Sequence, residues 1–411
     1  MKIHVGEEKI VVMSPAFPKG GWGEAAVEWG PYEFPKAGRH PDGRLFVRWH
    51  LGNDCIRDVG IPGGWAVSED DGETWRPFDP SSEPVVEALT GTVMANGEYI
   101  QYYSPRSTPL DEKSYRKLSD LILVDKEEPP APYDFSRIPV EAIPDGYICK
   151  NYRYFVTSEN VTKIEIREAE TPDFTDRTVM MTKEYAANPA PYCRPKLAPD
   201  GSIWQPVYQP NYDSRTGKFS RRHACFFLRS TDNGKTFRYM SKIVHTLDYD
   251  PEWDLVKEGF SEPDIGFMPD GSMITLLRTG FFTPSYIARS VDGGLTWSEP
   301  VKFDYCGTYP HLHTFPNGVT IASYGRPGLY IRATDDPSGM KWEDPITIIP
   351  RVYGKDFHDL EVKVNDIGCF NPEIAAINDH ELLLVYSDSR YRDSEGFIHK
   401  SIRARKISVE M

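Results

Sequence analysis

A chain of 411 residues that is 39% hydrophobic, 13% aromatic and 26% charged, with 32 Gly and 35 Pro spread along its length, has the composition of a turn-rich folded protein, not of a disordered or fibrous one. Its formal net charge of −14 opposes nucleic-acid phosphates and anionic membrane surfaces, so neither is expected as a partner. No apolar run approaches membrane-spanning length.

The elements follow in chain order. Lys2 to Met13 alternates as a strand does and carries no apolar leader, which with six well-separated cysteines predicts reduced thiols and a cytoplasmic location; export with disulfides is the alternative. The first of six similar hairpins runs from Tyr32 to Trp49, with its turn at Asp42-Gly43. The others are Leu89 to Tyr103, Tyr192 to Tyr208, Phe260 to Arg278, Tyr309 to Tyr324 and Phe370 to Asp388. In the last, His380 replaces the turn glycine. Each pairs two short apolar runs around a tight turn whose glycine supplies positive φ. The insertions Ser104 to Ala131 and Thr246 to Lys257 read as rim loops, and Ser401 to Val409 as a strand that joins Lys2 to Met13 in a closing sheet. Six hairpins with room for two more strands apiece predict an all-β fold: one domain over residues 1–411, a six-bladed β-propeller of four-stranded antiparallel blades.

A second repeat lies between the hairpins: SEDDGETW at Ser68 to Trp75, STDNGKTF at Ser230 to Phe237, SVDGGLTW at Ser290 to Trp297, and a degenerate ATDDPSGMKW at Ala333 to Trp342. These are Asp-box turns, in which Asp70, Asp232 and Asp292 accept backbone N–H groups and are architectural, not catalytic.

With these turns and hairpins the chain resembles the sialidase superfamily of glycoside hydrolases over nearly its whole length. That family binds the substrate carboxylate with three arginines, uses an Asp as acid/base, and uses a Tyr assisted by a Glu as nucleophile. The resemblance maps the Glu to Glu262, the second and third arginines to Arg278 and Arg326, and the acid/base to Asp58 in the DVG stretch. Two positions depart from the pattern. Glu33 stands at the first arginine, and the sixth hairpin opens Phe370-Asn371-Pro372-Glu373 where the Tyr is expected. A carboxylate in place of an arginine opposes an acidic ligand, which argues against sialic acid.

Glycoside cleavage needs a proton donor and a second group to attack or stabilise the anomeric carbon. Asp58 is the expected general acid and Glu262 the nucleophile or base, with Glu33 orienting substrate hydroxyls and Glu373 and Asp54 in reserve. Arg194, Arg278 and Arg326 would form a basic pocket for an acidic sugar, or else a structural ion-pair network with these carboxylates. His311 and His313 alternate on the fifth inner strand and share a face, joining Tyr309 and Asn371 as substrate-binding candidates. The pair has no third ligand that would argue for a metal, and no cofactor is expected. Trp49, Trp65 and Tyr386 are stacking surfaces or core. The leading expectation is an exo-acting glycoside hydrolase that releases a terminal sugar, an acidic one among the candidates, from an oligosaccharide or glycoside. The alternatives are a polysaccharide lyase using Tyr309 or the histidines on a uronate, and a non-catalytic glycan-binding propeller.

Overall fold

The computed structural model describes residues 1–15 and 63–80 and, with gaps, 31–51, 91–103, 151–245, 259–350 and 371–410. Among these residues every regular element is a β-strand. The expected rim loops, together with Asp54, Asp58, Cys55, Cys149 and Cys369, lie outside the described residues.

All six expected hairpins are present as antiparallel pairs, and each begins a sheet. The first sheet orders Lys36–Arg39, Leu45–His50, Gly63–Ser68 and Arg76–Pro77. Gly91–Val93, Tyr99–Tyr103, Asn151–Thr157 and Val161–Ile166 make the second. In the third, Ala190–Pro191 and Lys196–Leu197 both pair with Ile203–Asp213, which continues to Lys218–Ser230 and Arg238–Val244. The fourth runs Ser261–Phe267, Met273–Arg278, Ser285–Ser290, Val301–Asp304, and the fifth Thr308–Thr314, Thr320–Gly325, Leu329–Thr334, Ile346–Ile349. The sixth holds Glu373–Asn378, Glu381–Arg392 and Ile398–Glu410. Ala169–Glu170 and Arg177–Thr178 form a separate two-stranded ribbon. Consecutive four-strand antiparallel meanders of this kind are what a β-propeller is built from.

The strands expected at both termini share the sixth sheet. Lys2–Val5 and then Lys9–Met13 pair in succession along Ile398–Glu410, with Lys2 opposite Glu410 and Met13 opposite Ser401. The Gly6 amide donates to the Lys406 carbonyl between them.

Two compact units divide the chain: residues 1–90, 268–270 and 304–411 form one, and residues 91–267 and 271–303 the other. In the first unit the sixth sheet is buried on both faces. Leu382 and Leu384 join Ile321, Ile331 and Ile374, whereas Leu383 and Val385, pointing the opposite way, join Val47, Ala66 and Ala375. A strand covered on both sides loses polar alternation, hence the unbroken Leu-Leu-Leu-Val run. In the second unit Trp204, Phe227, Phe260, Ile265 and Leu277 form the core.

The Ser-x-Asp-x-Gly segments fold into one repeated turn. Ser68 Oγ accepts the Gly72 amide at 2.8 Å and donates to Asp70 Oδ1 at 2.8 Å. Asp70 also accepts the Thr74 amide at 2.9 Å and hydroxyl at 2.6 Å, bonds that hold its carboxyl down at about 2. Ser290, Asp292 and Thr296 repeat the pattern, and Ser230 and Asp232 repeat its first part. In the degenerate copy Thr334 replaces the serine, and Asp336 accepts the Met340 and Lys341 amides around a turn one residue longer. The sixth hairpin forms without a turn glycine because Asn378 Oδ1 accepts the His380 amide at 3.0 Å.

Candidate active site

Five of the six hairpins open on one tripeptide pattern, a residue, a proline and a polar residue: Phe34-Pro35-Lys36, Arg194-Pro195-Lys196, Glu262-Pro263-Asp264, Tyr309-Pro310-His311 and Asn371-Pro372-Glu373. Proline has no N–H for the ladder, and the pairing register breaks around it, between Ser261 and Asp264 and between Thr308 and His311. The residue before it is forced into an unusual backbone conformation at three of these sites. Phe34, Glu262 and Tyr309 have φ of 53°, 47° and 60°, a left-handed region that costs a non-glycine residue about 1–3 kcal/mol and is concentrated at functional sites.

In the first unit this pattern brings a charged row together. Glu373 Oε2 lies 3.0 Å from Lys36 Nζ and 3.8 Å from His311 Nε2, linking the first strands of three sheets. The Glu373 and His311 side chains are buried, whereas that of Lys36 is 21% exposed. Aromatic rings frame the row. Phe34 lies 6.0 Å from Tyr309 and 5.1 Å from His50 between centroids, Tyr309 lies 5.9 Å from His311, and Lys36 Nζ stands 5.1 Å from the Tyr309 ring centre. Burial, reinforced by the charges of Arg48 and Lys36, pulls His50 down to about 4 and keeps it neutral at pH 7. Beside this group the buried Arg326, itself at φ 54°, donates to Asn371 Oδ1 at 3.0 Å.

Glu33 is turned inward. It has no exposed surface, and its Oε1 lies 2.6 Å from Nζ of Lys400, itself 1% exposed. Glu33, expected to orient substrate hydroxyls, is here fully covered and ion-paired with a buried lysine. The charge reversal read at this position is offset by Lys400. His313 packs edge-on against Phe315, with centroids 4.7 Å apart. Trp49 and Tyr386 are core residues, and the Tyr386 hydroxyl donates to Glu8.

In the second unit Glu262 and Arg278, both buried, form an ion pair in which Arg278 Nη1 donates to Glu262 Oε1. Lys196 Nζ lies 2.9 Å from the fully buried Asp264. Burial and, after it, the Glu262 charge push the Cys225 thiol well above its ordinary range, so it is not a nucleophile. Arg194 is half-buried beside Pro195. Among the described residues no three His, Cys, Asp or Glu side chains converge as a metal set.

The fold is one shared with a sialidase. The chain superimposes on the NanB sialidase of Streptococcus pneumoniae with a TM-score of 0.50 and 12% identity, covering 98% of this chain and 70% of that one. A protein of unknown function from Dyadobacter fermentans matches with a TM-score of 0.58 and 16% identity over 99% of both chains. The α-L-arabinanase of Penicillium chrysogenum gives 0.49 and 12% over 97% and 98%. No protein-family model matches the sequence, and neither does any curated protein.

Chemically, the arrangement offers buried carboxylates already matched with cations, at Glu373 and Glu262, and half-buried aromatic faces at Phe34 and Tyr309 beside the first of them. Lys36 and Glu373 are the residues that sequence reasoning placed lowest or missed. Their signal was the repeated residue-Pro-polar tripeptide.

Proposed function

We propose that the chain is a glycoside hydrolase that releases a terminal sugar from an oligosaccharide or glycoside, with its six sheets as the blades of one propeller and the repeated Ser-x-Asp-x-Gly turns as its Asp-boxes. The observation that carries this reading is the strained residue-Pro-polar opening of the inner strands, which puts a carboxylate, a lysine, a histidine and two aromatic faces at one place in the first unit. Glu373 and Glu262, each beside a cation, are the candidates to attack or to activate water. The donor is then Asp58, as the resemblance to sialidases implies. Arg278 and Arg326 hold Glu262 and Asn371 in place, and substrate contact in the first unit falls to Tyr309, His311 and Lys36.

The test is hydrolysis of chromogenic sialosides, uronides, arabinosides, rhamnosides and galactosides by the wild type and by Asp58→Asn, Glu262→Gln and Glu373→Gln. Release from one glycoside, reduced at least a hundredfold by Asp58→Asn and by one glutamate variant, supports the reading. Equal activity in all variants refutes the carboxylate assignment. A lyase is the second reading, favoured by Tyr309 lying against His311 and under Lys36. Its products would absorb in the near ultraviolet, and a hydrolase's would not.

A further inference from the structure

We propose that Lys36 and Glu373 are a specificity-determining pair that recognises adjacent hydroxyls of a neutral sugar, with Tyr309 and Phe34 as the apolar face on which the ring lies. The proposal rests on the glycoside-directed reading above and names its substrate class. Three observations carry it.

The first is charge. A uronate or sialate site needs a cation whose charge is available to the substrate carboxylate. Here the ammonium of Lys36 sits 3.0 Å from Glu373 Oε2, so an incoming carboxylate meets an anion beside the cation it seeks. His50 adds no positive charge, being held neutral by its burial. Of the other cations in this unit, Arg39 pairs with Asp71 and Lys400 with Glu33, and the buried Arg326 donates to Asn371 Oδ1.

The second is hydrogen-bond chemistry. An ammonium donates only and a carboxylate accepts only, whereas each hydroxyl of a sugar does both. A lysine and a glutamate about 3 Å apart therefore match two neighbouring hydroxyls, one accepting from Lys36 and the other donating to Glu373. His311, 3.8 Å from the same carboxylate oxygen, fixes the second side of Glu373.

Third, Lys36 is the partly exposed member of the row, with its ammonium over the Tyr309 ring, and Phe34 and Tyr309 are both half-buried. An aromatic surface beside a polar pair fits a pyranose or furanose, whose C–H face is apolar and whose rim is polar.

The experiment is calorimetric binding of two sugar pairs that differ only in oxidation at C6, D-galactose with D-galacturonate and D-glucose with D-glucuronate. It uses the wild type, Glu373→Gln, Lys36→Met and Lys36→Arg, each checked for folding by thermal melting. The expected wild type binds a neutral sugar at least tenfold more tightly than its acid. Glu373→Gln, which removes the negative charge beside Lys36, shifts that ratio toward the acid by on the order of tenfold or more. Lys36→Arg keeps the neutral preference, and Lys36→Met weakens both. Preference of the wild type for the uronate, an unchanged ratio in Glu373→Gln, or no binding by either pair overturns the proposal. Because binding is read without turnover, a neutral preference in a protein that hydrolyses no glycoside refutes the hydrolase and leaves the pair standing. Hydrolysis with no neutral preference does the reverse.

Discussion

Removing Lys400 tests whether Glu33 is a structural group. Its Nζ and Glu33 Oε1 are 2.6 Å apart with 1% and 0% of the side chains exposed, so Lys400→Met leaves an anion with no route to water. Breaking a buried pair from one side costs about 3–5 kcal/mol, because the surviving charge stays desolvated. For units of this size each kcal/mol moves the midpoint by roughly 2–4 °C, so Tm should fall by about 6–20 °C. Replacing both residues, in Glu33→Met/Lys400→Met, removes the stranded charge and should restore most of that loss, since apolar substitution of a whole buried pair is often neutral. The assay is thermal unfolding followed by circular dichroism, with glycoside binding measured on the double variant at a temperature where it is folded. A single variant within about 1 °C of the wild type, or a double variant whose loss equals the sum of the two singles, would refute the reasoning. Binding abolished in a folded double variant would return Glu33 to the site.

Two further outcomes follow from the same structure. The His399 ring bonds the Ser14 carbonyl at 2.9 Å and Asp393 Oδ2 at 3.1 Å, and these contacts, the carbonyl first, raise its affinity for a proton. A raised folded pKa gives stability that is whole below the unfolded value of 6.5 and is lost as pH rises through the folded value; the midpoint should therefore decline from pH 6 towards pH 8, and His399→Gln should flatten that decline. Gly294→Ala should destabilise the second unit by about 2 kcal/mol or more, measured in urea, since Gly294 has φ +80° and an added Cβ would stand 2.4 Å from the Trp204 ring.

The hairpins and repeated turns were legible because their determinants are local. Gly43, Gly201 and Gly318 supply positive φ where the sequence demanded it, and Ser68, Asp70 and Thr74 bond within seven residues. The pairing of charges was not legible, because no local pattern records it. Lys400 stands 367 residues from Glu33 and Lys36 stands 337 from Glu373, so Glu33 read as a site carboxylate and Lys36 was passed over. The resemblance to sialidases led to Glu262 and Arg278, which do meet, but placed emphasis on a missing arginine whose substitute is neutralised internally. Asp58 lies outside the described residues, and its role rests on the resemblance.

Among the described residues, the two amino-terminal strands pair only with Ile398–Glu410. During synthesis at about 5–20 residues per second, roughly 400 residues must follow before that partner exists, so these strands wait on the order of 20–80 s. The sixth sheet therefore closes late, because its two amino-terminal strands are made well before the strand they pair with. Deleting the final dozen residues would strip both amino-terminal strands at once, whereas deleting Lys2–Val5 would leave the second of them paired.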